Sequence, residues 1–164
     1  MDTVSLPTHG LPWTQSLHTG DNRMDETHKE FTDMLNEILA TPQDQQLPLY
    51  RKFLLHTVEH FAQEERWMVA TGFAAENCHA EHHATILETM RAVESHYEAG
   101  DTDIITRLAE ALAEWFPGHA ASMDAGLAIH MKNVGFDSVT ETVADPSKIQ
   151  SVTMSGCGSV SCSH

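Results

Sequence analysis

Basic residues are scarce in this chain: 9 lysines and arginines stand against 24 aspartates and glutamates in 164 residues, a formal net charge of −15. Such a balance repels phosphate backbones and anionic lipid surfaces, so neither nucleic acid nor membrane is expected as a partner, and cations are favoured. No apolar run approaches the roughly 20 residues that a membrane-spanning helix needs. The N-terminal stretch MDTVSLPTHGLPWTQSLH has neither the basic nor the apolar region of a secretion signal. Cysteine is rare as well. Cys78, Cys157 and Cys162 are too few for a disulfide framework in a domain of this size. These absences together predict a cytoplasmic protein.

Strand-like alternation is also missing, and helical spacing takes its place. From a cap at Asp21 or Asn22, Met24, His28, Phe31, Leu35, Ile38 and Leu39 share one stripe. The polar stretch TPQDQQLP ends that helix, and Pro48 suits the first turn of the next. Phe53, Leu54, Thr57, His60, Phe61, Glu64, Trp67 and Met68 follow, with Gly72 as the stop. A third helix is expected from about Ala75 to Ala99, carrying His79, His83, Ile86, Leu87, Met90 and Val93 and closed by Gly100. Asp101 or Thr102 would cap a fourth, with Ile105, Leu108, Leu112 and Trp115, running to about Lys132. Short loops between helices of similar length predict an all-α, antiparallel up-down-up-down four-helix bundle over 21–132. Residues 1–20 read as an irregular arm with Trp13 and Leu17 packed back on the body, and 133–164 as a C-terminal tail.

Histidine is what the chain has in excess, with 12. In HFAQE, His60 and Glu64 are four apart, as are His79 and His83 in HAEHH. Four residues turn a helix by about 400°, so each pair projects from one face, which in a bundle is the core. Burying imidazoles and carboxylates without partners is costly, and a metal removes the cost by making each group a ligand. The inward set is His28, His60, Glu64, His79, His83, His119 and Asp124. Five imidazoles and two carboxylates exceed one tetrahedral zinc and suit two carboxylate-bridged metal ions, iron being the best match.

The segments MDETHKEF, HFAQEERWM, HAEHHATIL and WFPGHAASMD resemble the bacterial form of the hemerythrin family over roughly Trp13 to Lys132. The resemblance implies two iron ions (Fe2+/Fe3+) with an oxo or hydroxo bridge and reversible binding of dioxygen. His79, His83 and His119 would hold one iron, His28 and His60 the other, and Glu64 and Asp124 would bridge. The iron with fewer ligands would keep an open position, with Phe31, Phe61 and Trp115 forming the apolar pocket over it. Ala120 departs from the large aliphatic residue usual after the histidine of the last helix, and would widen the pocket. His56, one turn before His60, is a candidate neighbour of the site, whereas His82 is expected in solvent.

The implied activity is carriage, storage or sensing of dioxygen. The competing reading is a di-iron enzyme acting on O2, peroxide or nitric oxide. It receives little support, because the only tyrosines, Tyr50 and Tyr97, lie near helix ends. A stand-alone carrier is preferred to a sensor, since 164 residues leave no room for a signalling domain. In the tail, Cys157, Cys162 and His164 form a candidate soft-metal or redox group, the basis of a third reading as an interaction or metal-transfer module. No protein partner is indicated.

Pro117-Gly118 interrupts the last helix beside two of the ligands. His119 and Asp124 are five apart, which in an α-helix leaves their side chains about 140° apart. A π-type widening would bring them into register. A kink or break at 113–118 is expected, with the Ala113 carbonyl deprived of its donor.

Overall fold

The computed structural model describes residues 10–73 and 77–149. Four helical segments pack as an antiparallel bundle in which each touches its sequence neighbour and the last closes on the first. Helix α1 spans Asn22–Leu39, with Asp21 as its cap accepting from the Met24 amide at 2.9 Å. Its buried stripe is Met24, Thr27, His28, Phe31, Thr32, Leu35 and Ile38, a 3.6-residue period that turns one face to the core. Helix α2, Gln46–Ala70, buries Phe53, Thr57, His60, Phe61, Glu64, Trp67 and Met68. It places Pro48 in the first turn and stops at Gly72, whose φ of +93° suits a residue without Cβ.

Helix α3 runs Cys78–Glu98. It begins three residues later than expected, because the Asn77 side chain caps it by accepting from the Ala80 amide at 2.9 Å. Helix α4, Ile104–His119, likewise starts after Asp103 rather than at the expected cap. It buries Ile105, Ala109, Leu112, Phe116 and His119.

No break falls at 113–118. The α-helix continues through Pro117 to His119, although Pro117 cannot donate to the Ala113 carbonyl. Burial of Leu112, Phe116, His119 and Ala120 along one stripe holds the chain helical where local propensity would end it. The irregularity comes just beyond, as a π-helical turn over Ala120–Asp124, after which α5, Ala125–Asn133, resumes.

The arm and the following segment both pack on this frame. Leu11 and Leu17 are buried and Trp13 half-buried against the core. Beyond α5, strands β1, Phe136–Asp137, and β2, Thr142–Val143, pair antiparallel. Val134 and Phe136 join Met24, Trp67, Met68, Leu127 and Met131 in one apolar cluster. The Ser138 hydroxyl donates to Asp21 Oδ1 at 2.9 Å, tying this hairpin to the start of α1. A second apolar cluster, with Phe31, Phe53, Leu112, Phe116 and Ala120, occupies the other length of the bundle. Each large side chain in these clusters contributes about 1.5–3 kcal/mol by burial. Among the described residues no helix is long and apolar enough to cross a membrane.

Candidate metal centre

Along α1 the order is Met24, His28, Phe31, and along α2 it is Phe53, His60, Glu64, Trp67. The polar residues thus form one layer between the two apolar clusters. All seven candidate ligands meet there, and none of their side chains is more than 1% exposed.

Glu64 divides its oxygens between two histidine sets. Its Oε2 lies 2.7 Å from His60 Nε2 and 3.3 Å from His28 Nε2. Its Oε1 lies 3.2 Å from His79 Nε2 and 3.5 Å from His83 Nε2. Asp124 does the same: Oδ2 is 3.2 Å from His28 Nε2, while Oδ1 is 2.8 Å from His79 Nε2 and 3.0 Å from His119 Nε2. Two groups result, Glu64 with His79, His83, His119 and Asp124, and His28 with His60 and Glu64, each with ligand atoms converging within 4.8 Å.

Many of these atoms have no hydrogen-bond partner although they are buried. They include both ring nitrogens of His79, His83 and His119, both oxygens of Asp124, and Glu64 Oε1. Leaving a buried polar atom unsatisfied costs about 1–3 kcal/mol, so so many in one layer call for a ligand. Two donors at right angles about 2.1 Å from one ion lie about 3 Å apart, close to the separations seen between these atoms. The donor set of imidazoles and carboxylates, split in two by its carboxylates, fits a pair of borderline metal ions.

Without metal the layer balances its own charge. Burial disfavours an imidazolium at His28, yet the Asp124 and Glu64 carboxylates beside it outweigh that and raise the ring to about 10. His79 is likewise raised, to about 9, against burial and by the same two carboxylates. Burial wins at His83, which falls to about 4, and at His60, also lowered. Burial would raise the Glu64 carboxyl, but His60, His28 and His79 hold it well below the usual range. Asp124 is lowered too: burial and the Glu64 charge oppose ionisation, and His119 and His28 overcome them. Two carboxylates therefore face two imidazolium rings.

Aromatic rings fix the imidazoles. Phe61 stacks on His83 at 3.9 Å and 4°, and sits 5.0 Å from His60. Phe31 lies 5.7 Å from His60. Trp115 is not part of that side: it is half-buried and stacks on His119 at 4.4 Å. The ring over His28 belongs to Phe116, edge-on at 5.1 Å and packed on Phe31 at 4.6 Å. Phe116 lies three residues before His119, the spacing that would have singled it out. Ala120 is buried at the head of the π turn, against which the turn Gln15–Leu17 also packs.

His82 is not a solvent group, since it is half-buried with its ring 6.1 Å from that of His119 and nearly parallel to it. His56 pairs with Glu30 at 3.0 Å, its ring 6.2 Å from His60. Cys157, Cys162 and His164 lie outside the described residues.

Comparison with known proteins points the same way. Residues 19–128 match the model of the hemerythrin HHE cation binding domain. A bacteriohemerythrin of Ralstonia nicotianae is 31% identical over 134 residues, covering 82% of this chain and 98% of its own. Bacteriohemerythrins of Pseudomonas aeruginosa and Stenotrophomonas maltophilia are each 25% identical, over 84% and 74% of this chain and 90% and 82% of theirs. No solved structure matches at a significant level. The matched residues take in the four bundle helices and every member of the buried layer, and the chain belongs to the hemerythrin family.

Proposed function

We propose that residues 21–132 bind dioxygen reversibly at two iron ions held in the buried layer. His79, His83 and His119 would hold one and His28 and His60 the other, with Glu64 and Asp124 shared between them and an oxo or hydroxo group completing the pair. The observation that carries this reading is the way Glu64 and Asp124 each turn one oxygen to either histidine set. Bound, such an iron pair supplies reversible two-electron chemistry with dioxygen.

The chain's own residues set the conditions for it. Two histidines against three would leave a metal on the His28/His60 side with one protein ligand fewer, and that side would receive a small molecule. Phe31, Phe61 and Phe116 wall it with apolar surface, which keeps bulk water from the site and strengthens every electrostatic contact within it. The stacks of Phe61 on His83 and Trp115 on His119 hold the three-histidine side rigid. Carboxylates already ionised without metal need surrender no proton to bridge.

Binding is favoured over enzyme chemistry by where the tyrosines point. The Tyr50 hydroxyl donates to the Met90 carbonyl, and that of Tyr97 to the Gln43 carbonyl at 2.7 Å, so neither is turned to the buried layer. Anaerobic reduction followed by O2 addition tests the reading. A visible absorption band that forms and is reversed by removing O2 supports it; prompt oxidation with turnover of peroxide would favour the enzyme.

A further inference from the structure

Between α1 and α2 a cleft of about 220 Å³ is lined by Arg23, Glu30, His56, Glu59 and Arg66, with His60 among its deeper residues. His60 is the one residue shared by this cleft and the buried layer. Its side chain is wholly buried, its Nδ1 has no hydrogen-bond partner, and its Nε2 sits 2.7 Å from Glu64. The same imidazole thus stands between the surface and the metal ligands.

The rim has the chemistry of a cation site. A 3.0 Å hydrogen bond holds His56 Nε2 and Glu30 Oε2 side by side, so an imidazole and a carboxylate are presented together at the rim. Glu59, three residues after His56, shares its helix face. The two arginines do not offset these groups, because each has its own carboxylate: Arg23 bonds Glu26 at 3.1 Å, and Arg66 bonds Glu141 at 3.1 Å. Glu59 pairs with no cation among the described residues, and Glu30 pairs only with His56, so neither carboxylate of the cleft is held by an arginine. On a chain of net charge −15, such a cleft concentrates divalent cations from solution.

We propose that this cleft loads the centre: Glu30, His56 and Glu59 take a hydrated divalent cation at the rim, and His60 passes it inward to Glu64. The inference rests on the di-iron reading. Iron-free protein is mixed anaerobically with Fe2+, and protein-bound iron is counted over time by chelator quench. The double variant Glu30→Gln/Glu59→Gln and the single variant His56→Ala should each load about tenfold more slowly, yet reach the iron content of the unaltered chain. The double variant Glu88→Gln/Glu114→Gln, with the same loss of charge at exposed positions on other helices, should load at the normal rate. Normal loading by the cleft variants, or equal slowing in the remote one, overturns the route while leaving the di-iron reading intact. An unaltered chain that takes up no iron overturns both.

Discussion

His119 and Asp124 are five residues apart in the chain, yet His119 Nε2 and Asp124 Oδ1 lie 3.0 Å from each other across a π-helical turn. In a continuous α-helix the two side chains would diverge by about 140°. The extra residue in the turn is therefore what lets one helix supply both His119 and Asp124 to the buried layer. Inserting one alanine beside exposed Ala121 puts the two residues six apart, which turns an α-helix by about 600° and leaves their side chains about 120° apart. We expect the lengthened chain to keep its helical circular dichroism and to lose at least tenfold in iron affinity by competitive chelation. Unchanged affinity would show that the turn is incidental.

Pro117 and Gly118 are tolerated rather than needed, because the helix runs through them and the register change comes later. Nothing lies within 4 Å of a Cβ built on Gly118. Gly118→Ala should accordingly stabilise the chain by about 0.5–1 kcal/mol in urea unfolding, with iron content unchanged. A loss of iron would instead tie this segment to the site.

Metal uptake should release protons. In the metal-free chain His28 and His79 are raised to about 10 and about 9, so both carry a proton at pH 7.5 that a bound metal displaces. We expect about two protons per chain on loading. Loading should also tighten as pH rises toward those values, since the proton competes with the metal. Calorimetry in buffers of different ionisation enthalpy measures the release directly; uptake without release would contradict the charge balance drawn for the layer.

Ala120 is buried at the head of the π turn, in a cluster with Phe31 and Phe116. Ala120→Val adds two methyl groups there and should cost about 1–3 kcal/mol through overpacking. It should also slow conversion of the O2-loaded protein to the oxidised form in air, by narrowing access to the His28/His60 side. An unchanged lifetime would show that this position does not control access.

The meeting of seven candidate ligands in one buried layer was legible because helical spacing repeats on every helix, and a polar group on an apolar stripe stands out. Phe116 was not. The stripe of α4 can be drawn through Leu108 and Trp115 or through Ala109 and Phe116, and both fit a 3.6-residue period. Packing selects the second, which continues to His119 and Ala120. The register change itself could be inferred from the His119–Asp124 spacing, whereas Pro117 suggested a break that packing overrides. The hairpin after α5 was hidden because strands of two residues carry no period, and its Ser- and Thr-rich composition reads as tail. His82 shows a further limit: placement on a helix does not reveal a ring stacked against a neighbouring helix.

The most direct measurement combines iron content with an oxygen titration of the reduced protein. Two irons per chain and an absorption band that rises with O2 and disappears under vacuum, over repeated cycles, are the predicted result. One iron or none, or a band that decays once to a permanently oxidised protein, would contradict a reversible oxygen-binding centre shared between the two histidine sets.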